Sequence, residues 1–341
     1  MAERALRIGI LGAARIAPAA LVTPARSVDG AIVAAVAARD AARAEAFARK
    51  HGIARVARDY AELVEDRELD AIYNPLPNGL HAEWTIRALE AGKHVLCEKP
   101  LAANADEARA MAAAAARTGR VLMEAFHWRY HRAAERAIEI VRSGELGRVE
   151  RVEAAMCFPL PLFGDIRYRL DLAGGATMDA GCYAVSIARH LAGEEPAVAS
   201  ARAKLRSPGV DRALVGELAF PSGASGRVRA SMWSARLLDL SARVVGSEGE
   251  LRFLNPVMPQ LLHRLRVRTR SGTRTERAAG EPTYTAQLRA FVRAVDEGAA
   301  IPTDGNDGVA NMVVIDALYR AAGLPPRGTP EAAAIARSGR R

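Results

Sequence analysis

Short apolar runs alternate with helically spaced segments through the first third of the chain. Residues 5–11, 31–38, 71–74, 94–97 and 121–125 are almost continuously apolar, the pattern of strands buried on both faces. Between them, residues 15–27, 41–51, 59–64, 81–91 and 104–117 repeat their apolar positions every three or four residues. Pro18 and Pro24 confine the first of these helices to a short piece, Gly52 and Gly92 close two others, and Asn104 suits an N-cap. Strand and helix in alternation predict βαβ units around a parallel sheet.

After about Trp128 the rhythm changes. Residues 135–143 read as a helix, 149–158 as a long alternating strand, and 173–192 as a glycine-rich turn followed by a helix. From 197 to 270 several strands are separated by turns such as Pro221-Ser222-Gly223 and Gly246-Ser247-Glu248-Gly249, which predicts an antiparallel sheet with one face exposed or paired. Residues 284–296 and 306–322 return to helix, and the polar, Arg-ended tail from Pro325 reads as mobile. The chain therefore divides into residues 1–128, 129–324 and a tail, 325–341.

A length of 341 residues accommodates two domains, and the balance of half hydrophobic to a quarter charged residues is that of a soluble globular protein. No stretch approaches the roughly 20 apolar residues of a membrane helix. Arg15 interrupts the apolar N-terminal stretch and no cleavage site follows, so it reads as strand and helix, not as a secretory leader. Cys97, Cys157 and Cys182 stand far apart, which fits a reducing cytosol and neither a disulfide framework nor zinc. The net charge of +9 comes from arginines scattered along the chain. With no basic stripe or motif, this charge points away from nucleic acid and toward a cleft attracting phosphorylated cofactors.

Gly12-Ala13-Ala14-Arg15-Ile16-Ala17, between the first strand and helix, is a degenerate G-x-G-x-x-G turn. Gly12 permits the tight turn, and the helix behind it offers N–H groups to a pyrophosphate. Alanine in the third glycine position is a common variant, whereas Ala14 adds a methyl where the phosphate approaches. The second strand ends in Ala37-Ala38-Arg39-Asp40. A small residue followed by arginine leaves room for a 2′-phosphate and supplies its partner, favouring NADP. Asp40 bending to the ribose would favour NAD instead.

The segment Tyr73-Asn74-Pro75-Leu76-Pro77-Asn78-Gly79-Leu80-His81 and the later Glu98-Lys99-Pro100 both follow strands, at the carboxyl edge where ligands meet such sheets. Lys99 is one of four lysines, with Lys50, Lys93 and Lys204. There it suits donation to a substrate oxygen and depression of a neighbouring acid's pKa. His127 and His131 have i,i+4 spacing but no third ligand is evident, so no metal is expected.

These motifs, followed by Ala173-Gly174-Gly175-Ala176-Thr177-Met178-Asp179-Ala180-Gly181-Cys182-Tyr183, resemble the Gfo/Idh/MocA oxidoreductase family from Ile8 to about Leu324. Tyr183, where many members have histidine, and the Ala38-Arg39 pair resemble the branch of glucose–fructose oxidoreductase, dimeric dihydrodiol dehydrogenase and NADP-dependent xylose dehydrogenase. The resemblance implies an N-terminal Rossmann parallel sheet and a C-terminal α+β domain with a large, mostly antiparallel open sheet. It further implies last helices that pack back on the first domain, and a homodimer or homotetramer formed through the C-terminal sheet.

The implied chemistry is hydride transfer between NADP and a sugar, polyol or related diol, with no metal. Tyr183 would be the acid/base, with Lys99 lowering its pKa from the ordinary value near 10. Asp179, four residues away and expected on the same helical face, would orient the site. The resemblance also puts Gly12, Ala13, Ala14, Arg15, Ile16, Arg39, Leu76, Pro77, Asn78, His81, Glu98, Lys99, Arg167 and Tyr284 at the cofactor. Trp128, Arg129 and His131 are candidates for lining the substrate pocket. A regulatory protein that only binds NAD(P), and a nicotinamide-dependent glycosidase, are the alternatives within the same fold.

Overall fold

The apolar runs of the first third pair side by side and in parallel, because each has to be covered on both faces. In the computed structural model, which describes residues 4–162, 164–233 and 238–338, they are β1 (Leu6–Leu11), β2 (Ala31–Ala37), β3 (Arg55–Val56), β4 (Ala71–Asn74), β5 (His94–Cys97) and β6 (Leu122–Glu124). Their order in the sheet is β3-β2-β1-β4-β5-β6, all parallel, and Ile8, Ile10, Ile72, Val95 and Leu96 are fully buried. This is the Rossmann order, whose direction reverses between β1 and β4 and opens a crevice at the carboxyl ends.

The connection after β1 is irregular, as its prolines require: a π-turn over Pro18–Val22 runs into α1 (Thr23–Ala25). α2 (Ala41–His51) starts on an Asp40 cap and stops at Gly52 in the left-handed region, φ 72°. α3 (Tyr60–Glu65) is capped by Asp59, and α4 (His81–Glu90) and α5 (Ala105–Thr118) complete the series.

The second sheet carries a different pattern and has a different job. After α6 (Arg132–Arg142) come β7 (Val149–Cys157), α7 (Cys182–Ala192), β8 (Ala197–Ser207), β9 (Val210–Ala219) and β10 (Ser225–Ser231). They are followed by β11 (Asp239–Gly246), β12 (Gly249–Leu254), β13 (Arg264–Thr269) and β14 (Gly272–Glu276). The sheet order is β14-β13-β12-β11-β7-β10-β9-β8, antiparallel except for the parallel pair β10 and β7. Val152, Ala154, Val228, Val244, Leu251 and Val267 form the apolar face, and α7 lies against β7 and β10. Opposite it the register sets charges side by side: Arg227 faces Glu217 and Glu153, Glu153 faces Arg243, and Arg243 faces Arg252.

Two compact units result, and neither is one unbroken stretch. The first contains the chain up to Ala102, Asp106–His127 and Tyr284–Val309; the second contains Ala103–Ala105, Trp128–Thr283 and the chain from Ala310 onward. α8 (Thr283–Asp296) thus lies almost wholly in the first unit, and α9 (Gly305–Ala321) contributes to both.

The segment from Pro325 departs from its expected mobility. It forms α10 (Pro330–Ser338), whose Ala332 and Ile335 pack on Tyr168, Leu170 and Val210, and Arg327 before it is fully buried. Composition gives no hint of this, because the partner that makes the burial of Arg327 tolerable, Asp211, lies far back in the chain. Residues 339–341 of that tail lie outside the described residues. Among the described residues no helix is long and apolar enough to cross a membrane.

Two carboxylates of the second unit, Glu250 on the charged face of the sheet and Glu276 on the opposite face of its edge strand, link the fold to pH. Glu250 accepts from Arg243 at 2.9 Å and Arg268 at 3.0 Å and also pairs with Arg252; hydrogen bonding, led by Arg243, draws its pKa down to about 2. Glu276, held by Arg136 and Arg274, is drawn down to about 2 as well, led by Arg136. An unfolded glutamate titrates near 4.3, so both pairs contribute stability above that pH and lose it as pH falls toward 2. The denaturant midpoint is expected to drop through this interval, and less steeply in a Glu250→Gln/Glu276→Gln variant. An identical slope in the variant would refute the assignment.

Candidate functional site

The first half of the site is the turn after β1. Gly12 has φ 89°, donates to Ala37 O at 2.6 Å, and accepts from Ala14 N at 2.9 Å. A Cβ on it would sit 3.2 Å from Leu76 Cδ2, so the turn needs glycine both for its dihedral and for the packing of Leu76 beneath it. Ala13 and Ala14 are half-buried, and Arg15 and Ile16 are exposed. At the end of β2, Ala38 is buried and Arg39 exposed. Asp40 is occupied as the cap of α2, accepting from Arg43 N at 3.2 Å. Arg43 in turn reaches Ala13 O with Nη2 at 3.4 Å, bringing a second guanidinium to the glycine turn. The sequence reading missed Arg43; its signal was a basic residue in the first turn of the helix that Asp40 caps.

Farther along the same carboxyl edge, buried polar groups fix the two loops. Asn74 donates to His81 O at 3.2 Å and Thr85 Oγ1 at 3.1 Å, while its own Oδ1 accepts from Leu76 N. Pro77 leads into a helical turn, Asn78–Leu80. His81 was expected beside the cofactor, but it is fully buried, with Nδ1 2.9 Å from Pro100 O and Nε2 2.7 Å from Leu76 O. It braces the two loops against each other, and burial holds its pKa below the ordinary value.

Glu98 accepts from the Tyr73 hydroxyl at 2.7 Å. Beside it Lys99 is half-buried, and the His127 ring packs on Tyr284 with centroids 4.1 Å apart. Burial, then the Lys99 charge, push the His127 pKa down to about 3, so the ring is neutral at physiological pH. Burial, then the Glu98 charge, drive the Tyr284 phenol well above its usual range. The first unit thereby gathers Tyr73, Glu98, Lys99, His127 and Tyr284. Of these, the sequence reading left Tyr73 and His127 without a role.

The second unit carries the other signature. Gly174 N donates to Arg169 O and Gly175 N to Arg167 O, each at 2.8 Å. A Cβ on Gly174 would lie 2.6 Å from Arg167 O, which explains the first glycine of the pair. The chain then makes a π-turn, Thr177–Gly181, before α7. Asp179 stands on that π-turn and Tyr183, almost fully buried, is the second residue of α7. The two residues thus stand four positions apart across the join of a π-turn and α7, where the expectation was one continuous α-helix. Asp179 pairs with Arg167 Nε at 3.1 Å, and Arg167 also pairs with Asp165 at 3.3 Å, so Arg167 serves the aspartates of its own unit.

Trp128 and His131, expected to line the pocket, are core residues. Trp128 is fully buried and donates to Ser186 Oγ at 3.3 Å, with the Arg129 guanidinium 5.7 Å over its ring. His131 caps α6 by accepting from Ala133 N at 3.0 Å and packs its ring against His263. An aromatic-rich stretch at a domain junction reads the same from sequence whether it faces a ligand or a helix. Among the described residues no three metal-binding side chains cluster.

Family models described as an oxidoreductase family with an NAD-binding Rossmann fold and as a GFO/IDH/MocA C-terminal domain match residues 6–126 and 134–252. The chain is 41% identical over 321 residues to D-xylose 1-dehydrogenase (NADP(+)) 2 of Haloferax volcanii, covering 93% of this chain and 97% of that one. Its structure is similar to that of aldose-aldose oxidoreductase from Caulobacter crescentus complexed with glycerol, with TM-score 0.86 and 28% identity over 94% of this chain and 98% of that one. It is also similar to a 3-ketoreductase from Actinomadura kijaniata in complex with NADP and TDP-benzene, with TM-score 0.86 and 27% identity over 93% and 98% of the two chains.

The bracing role of His81 has a direct check. Substituting His81→Ala takes away the ring set between the Pro100 and Leu76 carbonyls and leaves a hole, and is expected to cost about 2–4 kcal/mol of unfolding free energy in denaturant titration. An unchanged midpoint would refute it.

Proposed function

The chain belongs to the Gfo/Idh/MocA oxidoreductase family, and from that premise we propose that it is an NADP-dependent oxidoreductase acting on a sugar, polyol or related diol. The observation that carries the cofactor choice is at the end of β2. Ala38 is small, Arg39 is exposed, and Asp40, the residue that would favour NAD, is engaged as a helix cap. Arg43 adds positive charge at the same turn. The residues present fit the group: Gly12, Ala13, Ala14, Arg15 and Ile16 would hold the pyrophosphate, and Arg39 the 2′-phosphate. Leu76, Pro77, Asn78, Glu98 and Tyr284 would border the nicotinamide and its ribose, with His81 supporting that edge from inside and Arg167 acting through Asp179. Bound there, NADP supplies the hydride acceptor or donor.

The chain's own residues supply the proton chemistry. Tyr183 acts as acid/base on the substrate oxygen, and Lys99 is the cation that favours its phenolate and donates to the same oxygen. Asp179, fixed by Arg167, orients a substrate hydroxyl. Arg129 is the remaining candidate for substrate contact. The relatives support this substrate class, their names being D-xylose 1-dehydrogenase (NADP(+)) 2, aldose-aldose oxidoreductase and 3-ketoreductase. Assembly as a homodimer or homotetramer through the charged side of the second sheet belongs to the same reading. A protein that only binds NAD(P) would have no need of Lys99, Asp179 and Tyr183 together.

Following nicotinamide absorbance with NADP and a panel of aldoses, polyols and vicinal diols tests the proposal. Turnover is expected for the wild type. Tyr183→Phe and Lys99→Met are expected to lose about 100-fold or more in kcat while still binding NADPH. Wild-type turnover by Tyr183→Phe would overturn the acid/base assignment, and glycoside cleavage without any absorbance change would make the protein a glycosidase.

A further inference from the structure

The turn that carries Asp179 and Tyr183 is set from outside itself. Thr177 opens it, and both Thr177 N and Thr177 Oγ1 donate to Asp211 Oδ2, each at 2.7 Å. Asp211 Oδ1 accepts from the Tyr319 hydroxyl at 3.0 Å and from Arg327 Nη2 at 2.7 Å. Arg327 Nε donates back to Gly174 O at 2.9 Å, and its guanidinium lies 3.9 Å over the Tyr319 ring. The carboxylate and the guanidinium are both 0% exposed. Gly175, at φ 140°, leaves the space they occupy: a Cβ there would overlap Asp211 Oδ1 and lie 2.9 Å from both Arg327 Nη2 and the Tyr319 hydroxyl. The arrangement therefore grips the turn at Gly174 and at Thr177, on either side of the residue that must be glycine.

Stability alone is a poor reason for such a pair. Burying two charges is costly, and well-packed apolar residues often serve as well or better. What the ion pair adds is direction, since four hydrogen bonds to one carboxylate admit a single backbone path through Thr177. We infer that Asp211 and Arg327, with Tyr319, are positioning residues that hold the Gly174–Gly181 turn and so aim Asp179 and Tyr183 for proton transfer. The inference rests on the proposed role of Tyr183. It makes the C-terminal segment part of the reaction's support, because Arg327 lies in it. Small misplacements of an acid/base cost rate more than binding, so the effect falls on kcat.

Thr177→Val, Thr177→Ser and Tyr319→Phe in the full chain test this. Each keeps the ion pair, and Thr177→Val keeps the shape of the side chain while removing the hydroxyl. Thr177→Val and Tyr319→Phe are expected to lower kcat by about tenfold and to shift its pH profile, with KM and NADPH binding within about twofold. In the cofactor-free protein they are expected to raise amide hydrogen exchange of residues 177–183 by about tenfold or more. Thr177→Ser, which restores the hydroxyl, is expected to return kcat to within about twofold, although loss of a buried methyl lowers its unfolding midpoint.

A kcat that follows the midpoint across the three variants would make the cluster merely structural and overturn the inference. So would wild-type kcat and exchange in Thr177→Val and Tyr319→Phe. Tyr183→Phe, run alongside, separates the two ideas. If it retains full turnover the acid/base reading fails, while the exchange data still decide whether the cluster holds the turn.

Discussion

A carboxylate with no access to water has to be met by donors on every side, and Asp211 is met by Thr177, Tyr319 and Arg327. Each of these brings a separate part of the chain with it. Thr177 brings the turn into α7, Tyr319 the end of α9, and Arg327 the approach to α10. Arg327 O also accepts from Asn104 at 2.9 Å, and Asp316 accepts from Ala105 N at 3.1 Å, which ties the start of α5 to the same unit. One buried charge thus gathers segments far apart in sequence, and the requirement for Gly175 follows from it.

The first unit solves a similar problem with neutral groups. Its carboxyl edge has to hold two loops in fixed positions without regular secondary structure, so their polar atoms need partners inside. Asn74 and His81 supply them by bridging to main-chain groups, and Tyr73 fixes Glu98 from below. Burial and the Lys99 charge keep the His127 imidazole neutral at physiological pH. Rigid support of this kind lets exposed loop residues serve a cofactor without an entropic penalty on each binding event.

Five of the six strands of the parallel sheet were legible in the sequence, because buried parallel strands leave continuous apolar runs: the expected strands 71–74 and 94–97 match β4 and β5, whereas the two-residue edge strand β3, Arg55–Val56, leaves no such run. The glycine turn, Glu98-Lys99-Pro100 and the Gly174–Tyr183 segment were legible because each demands particular residue types at short range. What escaped depends on long-range partners. Arg327 looked like one more arginine in a polar tail, and only Asp211 and Tyr319 explain its burial. Trp128 and His131 carry chemistry that a pocket could use, yet helix packing and helix capping claimed them. The π-turn Thr177–Gly181 was hidden for the same reason, since a continuous α-helical period was assumed through Asp179 and the hydrogen bonds from Thr177 to the distant Asp211 leave no local signal.

The cofactor assignment is the claim on which the functional account turns, and titrating the cofactor-free protein with NADPH and NADH tests it most directly. Nicotinamide fluorescence would be followed for the wild type and for Arg39→Ala. A guanidinium paired to a 2′-phosphate is worth about 1.5–3 kcal/mol, so NADPH is expected to bind at least about tenfold more tightly than NADH, and the preference to collapse in the variant. Equal or tighter binding of NADH, unaffected by Arg39→Ala, would contradict the account.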